Sequence, residues 1–290
     1  MRVLVTGDRG MIGRVLSAHL HAQGDCVVGF DRVDGYDVLD RAALRAAAAG
    51  CDAIVHLAAV DAPPDGPSAP IAAAGSASPE EIMTVNALGT GFVLSVATGA
   101  GVRRVVFMSS VDALGIFLGE RPPDYLPIDD AHPTYPRSPY ALAKRLAEQM
   151  CRALTAETGI ATVCLRPPGV FAEETYTWIK DARSADPAFE WSPYWEYGAF
   201  LDVHDLASAV SCALRCPDPG HVTLLVCADD ISSARLTTRE LARRIMPDVL
   251  WRGGPEFERD PYRALLDTRN AHRVLGWSPQ RRWRVTGRSS

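Results

Sequence analysis

A chain of 290 residues, 47% hydrophobic and 22% charged with a formal net charge of −5, has the balance of an ordinary soluble globular protein: one large domain, or one domain with a smaller cap. The mild acidity leaves no electrostatic footprint for nucleic acid or an anionic membrane, and no apolar run approaches the length needed to span a bilayer. Seven scattered cysteines without a CxxC pair or a Cys/His ligand spacing argue against a metal site and for reduced thiols in a cytoplasmic protein, and no signal peptide is expected before the first strand.

In chain order, Arg2–Thr6 reads as a strand, and Gly7, Gly10 and Gly13 follow it as the chain enters a helical pattern over Met11–Gln23. Further strands are expected at Cys26–Phe30, Ala53–Leu57, Arg104–Ser109 and Ala161–Leu165. Helices are expected at Arg41–Ala49, Pro79–Gly99 and Pro139–Thr158. Near-continuous apolar strands joined by helices predict a doubly wound, Rossmann-type parallel sheet of the α/β class, with ligands at the carboxyl ends of the strands. Asp61–Pro79, rich in Pro, Ala, Gly and Ser, reads as a mobile loop.

After Leu165 the alternation breaks, and Pro167-Pro168-Gly169 turns the chain away. An aromatic stretch follows, with Tyr176, Trp178, Phe189, Trp191, Tyr194, Trp195 and Tyr197. Most of these rings are expected to pack a cap onto the sheet, with one or two facing a substrate. Ala199–Val203 and His204–Leu214 read as a strand and helix returning to the sheet, and Val222–Cys227 as a last strand. The basic end, Arg281 to Arg288, reads as a frayed, solvated tail. The resulting division is a dinucleotide-binding domain of residues 1–165 plus 199–228, and a small substrate-binding cap of residues 166–198 plus 229–290.

The glycine turn has the chemistry of a dinucleotide site. Gly7 permits the tight turn, Gly10 lets backbone approach phosphates, and Gly13 lets helix and strand pack closely; the helix N-terminus then offers free N–H groups to a pyrophosphate. Asp31 lies 18 residues after Gly13, at the end of the second strand, where a carboxylate can bond ribose hydroxyls. A carboxylate there repels a 2′-phosphate, so NAD is favoured over NADP, although Arg32 is a residue that a 2′-phosphate would want. Farther on, Tyr140 and Lys144 stand one helical turn apart on the same face. A free phenol titrates near ~10, and a neighbouring ammonium favours its phenolate, as a general acid/base at neutral pH requires.

With these residues identified, the chain resembles the extended short-chain dehydrogenase/reductase superfamily, the NAD-dependent epimerase/dehydratase family, over about its first 230 residues. Thr6-Gly7-Asp8-Arg9-Gly10-Met11-Ile12-Gly13 resembles that family's TGxxGxxG. Asp37-Val38 is similar to its adenine-contacting pair, His56-Leu57-Ala58-Ala59 to its HxAA, and Asn86-Ala87-Leu88-Gly89-Thr90 to its NxxGT. Met108-Ser109-Ser110, Tyr140 to Lys144, Leu165-Arg166-Pro167 and Phe200 to Ala207 are similar to four further landmarks. The resemblance implies Ser110, Tyr140 and Lys144 as the catalytic set, with Lys144 also on the nicotinamide ribose. It implies Gly7, Arg9, Gly10, Met11, Ile12, Gly13, Asp31, Asp37, Val38, Leu57, Ala58, Ala59, Asn86 and Pro167 as cofactor contacts, and a homodimer that pairs the helices at Pro79–Gly99 and Pro139–Thr158.

Departures from the family narrow the substrate. Sugar-nucleotide members usually carry Asn where this chain has Gly169, and Arg where it has Gly198. Both absences point to a smaller or less anionic substrate: a free sugar, a uronate, a polyol or a natural-product ketone. Val111 follows Ser110 where dehydratases place an acid, which disfavours dehydration; Asp112 reads as an auxiliary acid or a strand-end turn carboxylate. The expected activity is hydride transfer between NAD and a hydroxyl or keto carbon. An epimerase using the same residues is the alternative, and a cofactor-sensing binding protein without catalysis is the third reading.

Overall fold

Side chains alternate across the first strand, Arg2–Thr6 (β1): Val3 and Val5 enter one buried cluster and Leu4 the other. The computed structural model describes residues 1–60, 77–117, 121–185, 193–233 and 235–286. The chain continues through α1 (Met11–Ala22), β2 (Cys26–Phe30), α2 (Arg41–Ala48) and β3 (Ala53–His56). Next come α3 (Pro79–Ile82), a π-helical stretch (Met83–Gly89) and α4 (Thr90–Ala100), which form one continuous helix, and then β4 (Arg104–Met108). After β5 (Tyr125–Leu126), α5 (Pro139–Thr158) leads to β6 (Ala161–Arg166). The remainder comprises β7 (Val170–Phe171), α6 (Glu173–Ala185), β8 (Leu201–Asp202), α7 (Val203–Arg215), β9 (His221–Leu225) and α8 (Thr238–Ile245). Last are β10 (Leu250–Trp251), α9 (Glu256–Arg259), α10 (Arg269–Leu275) and α11 (Trp283–Thr286).

Six parallel strands form the main sheet in the order β2-β1-β3-β4-β6-β9. Helices cover both faces. Leu16 and Leu20 of α1, Val210 of α7 and Leu275 of α10 share one cluster with Val3, Val55, Val106 and Val163. Leu44 of α2, Val93 of α4 and Cys151 of α5 share the other with Leu4, Ile54, Val105 and Cys164. Because β1 pairs with both β2 and β3, the strand order reverses beside it, opening the crevice in which doubly wound sheets hold their ligands. A third cluster joins Val111, Leu114 and Phe117, which follow β4, to Leu241, Leu265 and Leu266 near the C-terminus.

The expected strands and helices up to Leu165 stand within one or two residues of those observed. Three readings need correction. Ala199–Val203 does not return to the main sheet: only Leu201–Asp202 is extended, and it pairs with Val170–Phe171 in a separate two-stranded sheet. The basic end is not frayed over Arg281 to Arg284, because the Trp283 indole is buried against Tyr176 and Phe200 while the flanking arginines meet acids. Pro79–Ala100 is, by length and composition, apolar enough to cross a bilayer; half of its most apolar window is buried in the protein, as befits a core helix packed on α2 and α5. Pro79 starts this helix, as expected, and Ser78 caps it. Residues 61–76 of the expected loop, Phe189, Trp191, Arg288, and the side chains of Tyr194 and Trp195 lie outside what is described.

Candidate active site

The glycine turn is shaped by contacts that allow no side chain. Gly7 adopts φ +76° and donates its N–H to the Phe30 carbonyl at 2.9 Å. A Cβ there would come within 2.8 Å of the Ala58 nitrogen, and one at Gly13 within 2.1 Å of the Gly7 oxygen. At Gly10 a Cβ would meet only that same oxygen, at 3.4 Å, so the turn is open on that side. α1 begins at Met11 with Gly10 as an N-cap that has no side chain to bond it. The first-turn N–H groups of Met11, Ile12 and Gly13 therefore find no acceptor in the helix ladder, and they sit at its positive end. Such a cradle fits a dinucleotide pyrophosphate.

Around the turn, the acidic residues are fixed. Asp31 caps a short 3₁₀ turn, accepting from Val33 N at 3.0 Å with one oxygen and from Arg9 N at 3.1 Å with the other. The exposed Arg9 side chain bonds Asp34 at 2.6 Å. Arg32 has Asp37 and Glu81 each at 3.9 Å, so its guanidinium is drawn by acids on two sides. Asp37 accepts from Leu39 N at 2.9 Å, and Val38 is buried against the helix at Gly89, where a Cβ would come within 2.9 Å of it.

The ends of β1 and β3 are joined by a chain of hydrogen bonds with a defined direction. Ala58 N–H donates to Thr6 Oγ1 at 3.3 Å, and Thr6 Oγ1 lies 2.6 Å from His56 Nδ1. His56 Nε2 lies 3.0 Å from Thr90 Oγ1, whose hydroxyl donates to the Asn86 carbonyl at 2.6 Å. Thr90 has thus spent its proton, so Nε2 must donate to it and Nδ1 must accept from Thr6. Burial, aided by the Lys144 charge, holds the ring neutral, with its pKa pushed down to about 3. Asn86, within the π-helical stretch, grips the Val60 backbone at both its N–H (2.8 Å) and its carbonyl (2.7 Å). It thereby fixes the loop of Leu57, Ala58 and Ala59 opposite the glycine turn.

At the end of β4 the two serines part. Ser109 is buried and donates to Glu148 at 2.7 Å. Ser110 caps the following turn: its Oγ accepts from Asp112 N and donates to Asp112 Oδ2, both at 3.1 Å. Val111 N–H bonds the Pro167 carbonyl at 3.1 Å, tying the ends of β4 and β6 together. Opposite stands α5, started by the Ser138 cap and Pro139 at its first position, so that Tyr140 lies in the first turn. Lys144 is buried; its ammonium donates to the Met108 carbonyl at 2.8 Å and lies 5.3 Å from the Tyr140 ring centroid. The phenol, the ammonium and the strand end that leads into Ser110 are thus brought together.

Sequence reasoning passed over three features of this region. Glu148, one turn beyond Lys144, forms a bidentate pair with Arg166 at 2.7 Å for each bond, both side chains buried. Burial works against the Glu148 charge, but Arg166, Ser109 and Arg145 outweigh it and hold the carboxyl below its ordinary value. Arg166, a guanidinium ending the apolar run of Ala161–Leu165, was the available signal. The His56 relay was visible only as a motif letter. The third is Glu196, whose Oε2 accepts from Gly169 N at 3.1 Å. Burial first, and the nearby Asp112 second, push its carboxyl up to about 8, against the pull of the Gly169 N–H. Of the aromatic residues, Tyr176 is buried among Phe171, Phe200 and Trp283, while Tyr197 packs on Phe117. Both serve packing, as most were expected to. Among the described residues no three His, Cys, Asp or Glu side chains gather where they could hold a metal ion.

Comparison with known proteins gives three concordant results. The NAD dependent epimerase/dehydratase family matches residues 3–226. A uronate dehydrogenase of Pseudomonas syringae pv. tomato is 27% identical over 241 residues, 79% of this chain and 75% of that protein. A UDP-glucose 4-epimerase of Streptomyces lividans is 25% identical over 321 aligned residues, covering 97% of this chain and 92% of that one. In structure, a short-chain dehydrogenase/reductase superfamily protein from Agrobacterium tumefaciens, crystallised with bound NAD, superposes with a TM-score of 0.69 at 22% identity, covering 99% and 94% of the two chains.

Proposed function

The chain belongs to the NAD dependent epimerase/dehydratase family, and from that premise we propose that it is an oxidoreductase acting on a hydroxyl or keto carbon of a compact substrate: a small sugar, a uronate, a polyol or a natural-product ketone. The observation that carries this reading is the placement of Lys144, 2.8 Å from the Met108 carbonyl and 5.3 Å from the Tyr140 ring. A fixed positive charge beside a phenol lowers the cost of its phenolate, so Tyr140 can take the proton of a substrate hydroxyl or return one to a carbonyl. Ser110, whose hydroxyl points to Asp112 here, would turn that proton to the same substrate oxygen on binding. NAD, when bound, supplies the hydride acceptor. Gly7, Gly10, Met11, Ile12 and Gly13 would hold its pyrophosphate, Asp31 its adenosine ribose, and Leu57, Ala58 and Ala59 the opposite wall. Arg9 N–H already bonds Asp31, so the turn and the ribose acid form one unit.

Two positions support a compact substrate. Gly198 has φ +82°, which disfavours an arginine there. A side chain at Gly169 would meet Glu196 Oε2 at 3.2 Å and Phe171 at 3.3 Å, a tight fit that disfavours the asparagine of sugar-nucleotide members. The near full-length match to an epimerase favours a second reading, in which the same residues oxidise a sugar transiently and restore it with inverted configuration. Absorbance and native mass spectrometry of freshly purified protein, before and after dilution, discriminate the two. An enzyme that takes up and releases NAD, and forms NADH with a hydroxylated substrate, is the dehydrogenase; stoichiometric NAD that survives dilution without net NADH formation supports the epimerase.

The reading extends to assembly and compartment. Leu142 and Leu146 are exposed one turn apart on α5, and Leu88 is exposed on the neighbouring helix, a surface suited to a second copy of the chain. All seven cysteines are free thiols, which suits a reducing cytoplasm.

A further inference from the structure

The C-terminal region departs in charge from the rest of the molecule. From Asp229 to Ser290 the chain carries thirteen arginines against eight acidic residues, although the whole protein has a formal net charge of −5. Four of these arginines, Arg252, Arg259, Arg263 and Arg269, line one cavity of about 300 Å³, at the small end of the ~300–1,000 Å³ usual for ligand pockets. Three segments bring them there. β10 pairs with β5 in the register Leu250–Tyr125 and Trp251–Leu126, so Arg252 follows directly from the paired strand. Arg259 ends α9, and Arg263 belongs to a segment held by its own carbonyl, which accepts from Thr238 Oγ1 at 2.6 Å. The lining includes none of Ser110, Tyr140 and Lys144 and no part of the glycine turn.

These arginines differ in what they already hold. Arg269 is spent on Asp267, whose two oxygens accept from its Nε at 2.9 and 2.8 Å. The Arg252 guanidinium lies over the Tyr125 ring, 3.7 Å from its centroid. A guanidinium seated on a ring face keeps its N–H edge for a partner. Among the described residues, the side chains of Arg252, Arg259 and Arg263 donate no hydrogen bond and form no ion pair; Glu256 and Asp267 act on Arg263 only at longer range. The other acids of the cavity have donors elsewhere. Asp129 accepts from the Tyr125 hydroxyl at 2.7 Å and from Ala131 N at 3.0 Å, and Glu256 accepts from Gly254 N at 3.1 Å. Three guanidiniums are thus left in the wall of a small cavity with no carboxylate bonded to them.

We propose that this cavity is a second ligand site, apart from the catalytic one, which takes a phosphoryl group, either borne by a small metabolite or as free phosphate. Arginine presents a fork of N–H donors that matches oxyanions. Three forks from three segments suit the several oxygens of a tetrahedral dianion better than the two of a planar carboxylate. Pro127, Phe257 and Leu266 add apolar wall, which lowers the local dielectric and strengthens each charged contact. An occupant would tie β10, α9 and the Arg263 segment together. The inference stands on this cavity alone and does not depend on the oxidoreductase reading.

The test is calorimetric titration of the full chain with inorganic phosphate and with glycerol 3-phosphate, in chloride buffer and with NAD saturating so that the glycine turn is filled. One saturable site per chain is expected, and the thermal transition should rise with its occupancy. Arg263→Gln and Arg252→Gln should each weaken binding by at least about tenfold, as loss of a charged hydrogen bond implies. Arg259→Gln should act in the same direction, which keeps the test decisive if one of the others does not fold. Arg103→Gln, on the exposed surface at β4, should change nothing. Tighter binding of glycerol 3-phosphate than of phosphate would identify a phosphorylated metabolite as the ligand, and the reverse order the free ion; both uphold the site. No saturable binding of either at tens of millimolar, or binding that none of the three cavity variants weakens, would overturn it.

Discussion

Tyr140 is half-buried at the start of α5, and its neighbour Lys144 cannot wander, because the ammonium is bonded to Met108 O. Tyr140→Phe removes the hydroxyl but keeps the ring. Turnover should fall by about 10²–10⁴-fold, the usual weight of general acid–base catalysis, with NAD affinity nearly unchanged. Steady-state rates alongside a calorimetric titration with NAD check both halves, and a fully active variant would remove Tyr140 from the chemistry. At this scale much was legible: the glycines and the Tyr140–Lys144 pair are singled out by local spacing, which a turn or a helix enforces, while Ser110 was singled out over Ser109 only by the family resemblance. Glu196 was not legible. Its partners, Gly169 and Asp112, are supplied by segments 27 and 84 residues away, a separation that no local pattern encodes.

Elements are held in register by two buried polar assemblies. The Glu148–Arg166 pair joins α5, which carries Tyr140 and Lys144, to β6, and Ser109 joins both to β4. Breaking a buried pair by removing one partner leaves a charge without compensation. Arg166→Met should therefore cost about 3–5 kcal/mol, read from urea unfolding midpoints, whereas a surface arginine such as Arg103 should cost little. The second assembly is the Thr6–His56–Thr90 relay between β1, β3 and α4. His56 titrates near 6.5 in the unfolded chain and about 3 in the fold, so between those values the unfolded chain binds more protons. The stability it contributes is complete above pH 6.5 and is lost as pH falls toward 3. His56→Asn should be less stable at neutral pH by about 1–3 kcal/mol for the disturbed hydrogen bonds, yet should lose stability less steeply over that acid range. Unfolding midpoints measured against pH for both proteins would show parallel curves if the ring did not titrate this way.

For the whole molecule, the C-terminal segment acts as a strap. Arg281 reaches Asp202 at 3.2 Å, Arg282 reaches Asp229 at 3.0 Å, and the Asp230 carboxylate accepts from the backbones of Trp283 and Arg284. Trp283→Ala should destabilise the protein by about 3–5 kcal/mol, as expected for a buried aromatic, and calorimetry would register a lowered transition. A solvated tail would register nothing. Assembly is testable on the same scale. Sedimentation velocity should find a dimer for the wild type and a monomer for Leu146→Glu, since a carboxylate in an apolar helix pairing carries a desolvation cost. An unchanged dimer would move the interface elsewhere.

The sequence by itself determined the β/α order, the two-faced burial of the central strands and the positions that had to be glycine, because periodicity and backbone freedom are properties of neighbours in the chain. It also carried the Tyr140–Lys144 pair, for helices place residues one turn apart on the same face. Only the tertiary structure decided that Ala199–Val203 leaves the main sheet, that the basic end is pinned by Asp202, Asp229 and Asp230, and that Glu196 reaches the strand ends beside Ser110. Each of these is a pairing of charge or backbone between distant segments. Such partners are chosen by what the packed core leaves within reach, and that is settled only after the layers have closed.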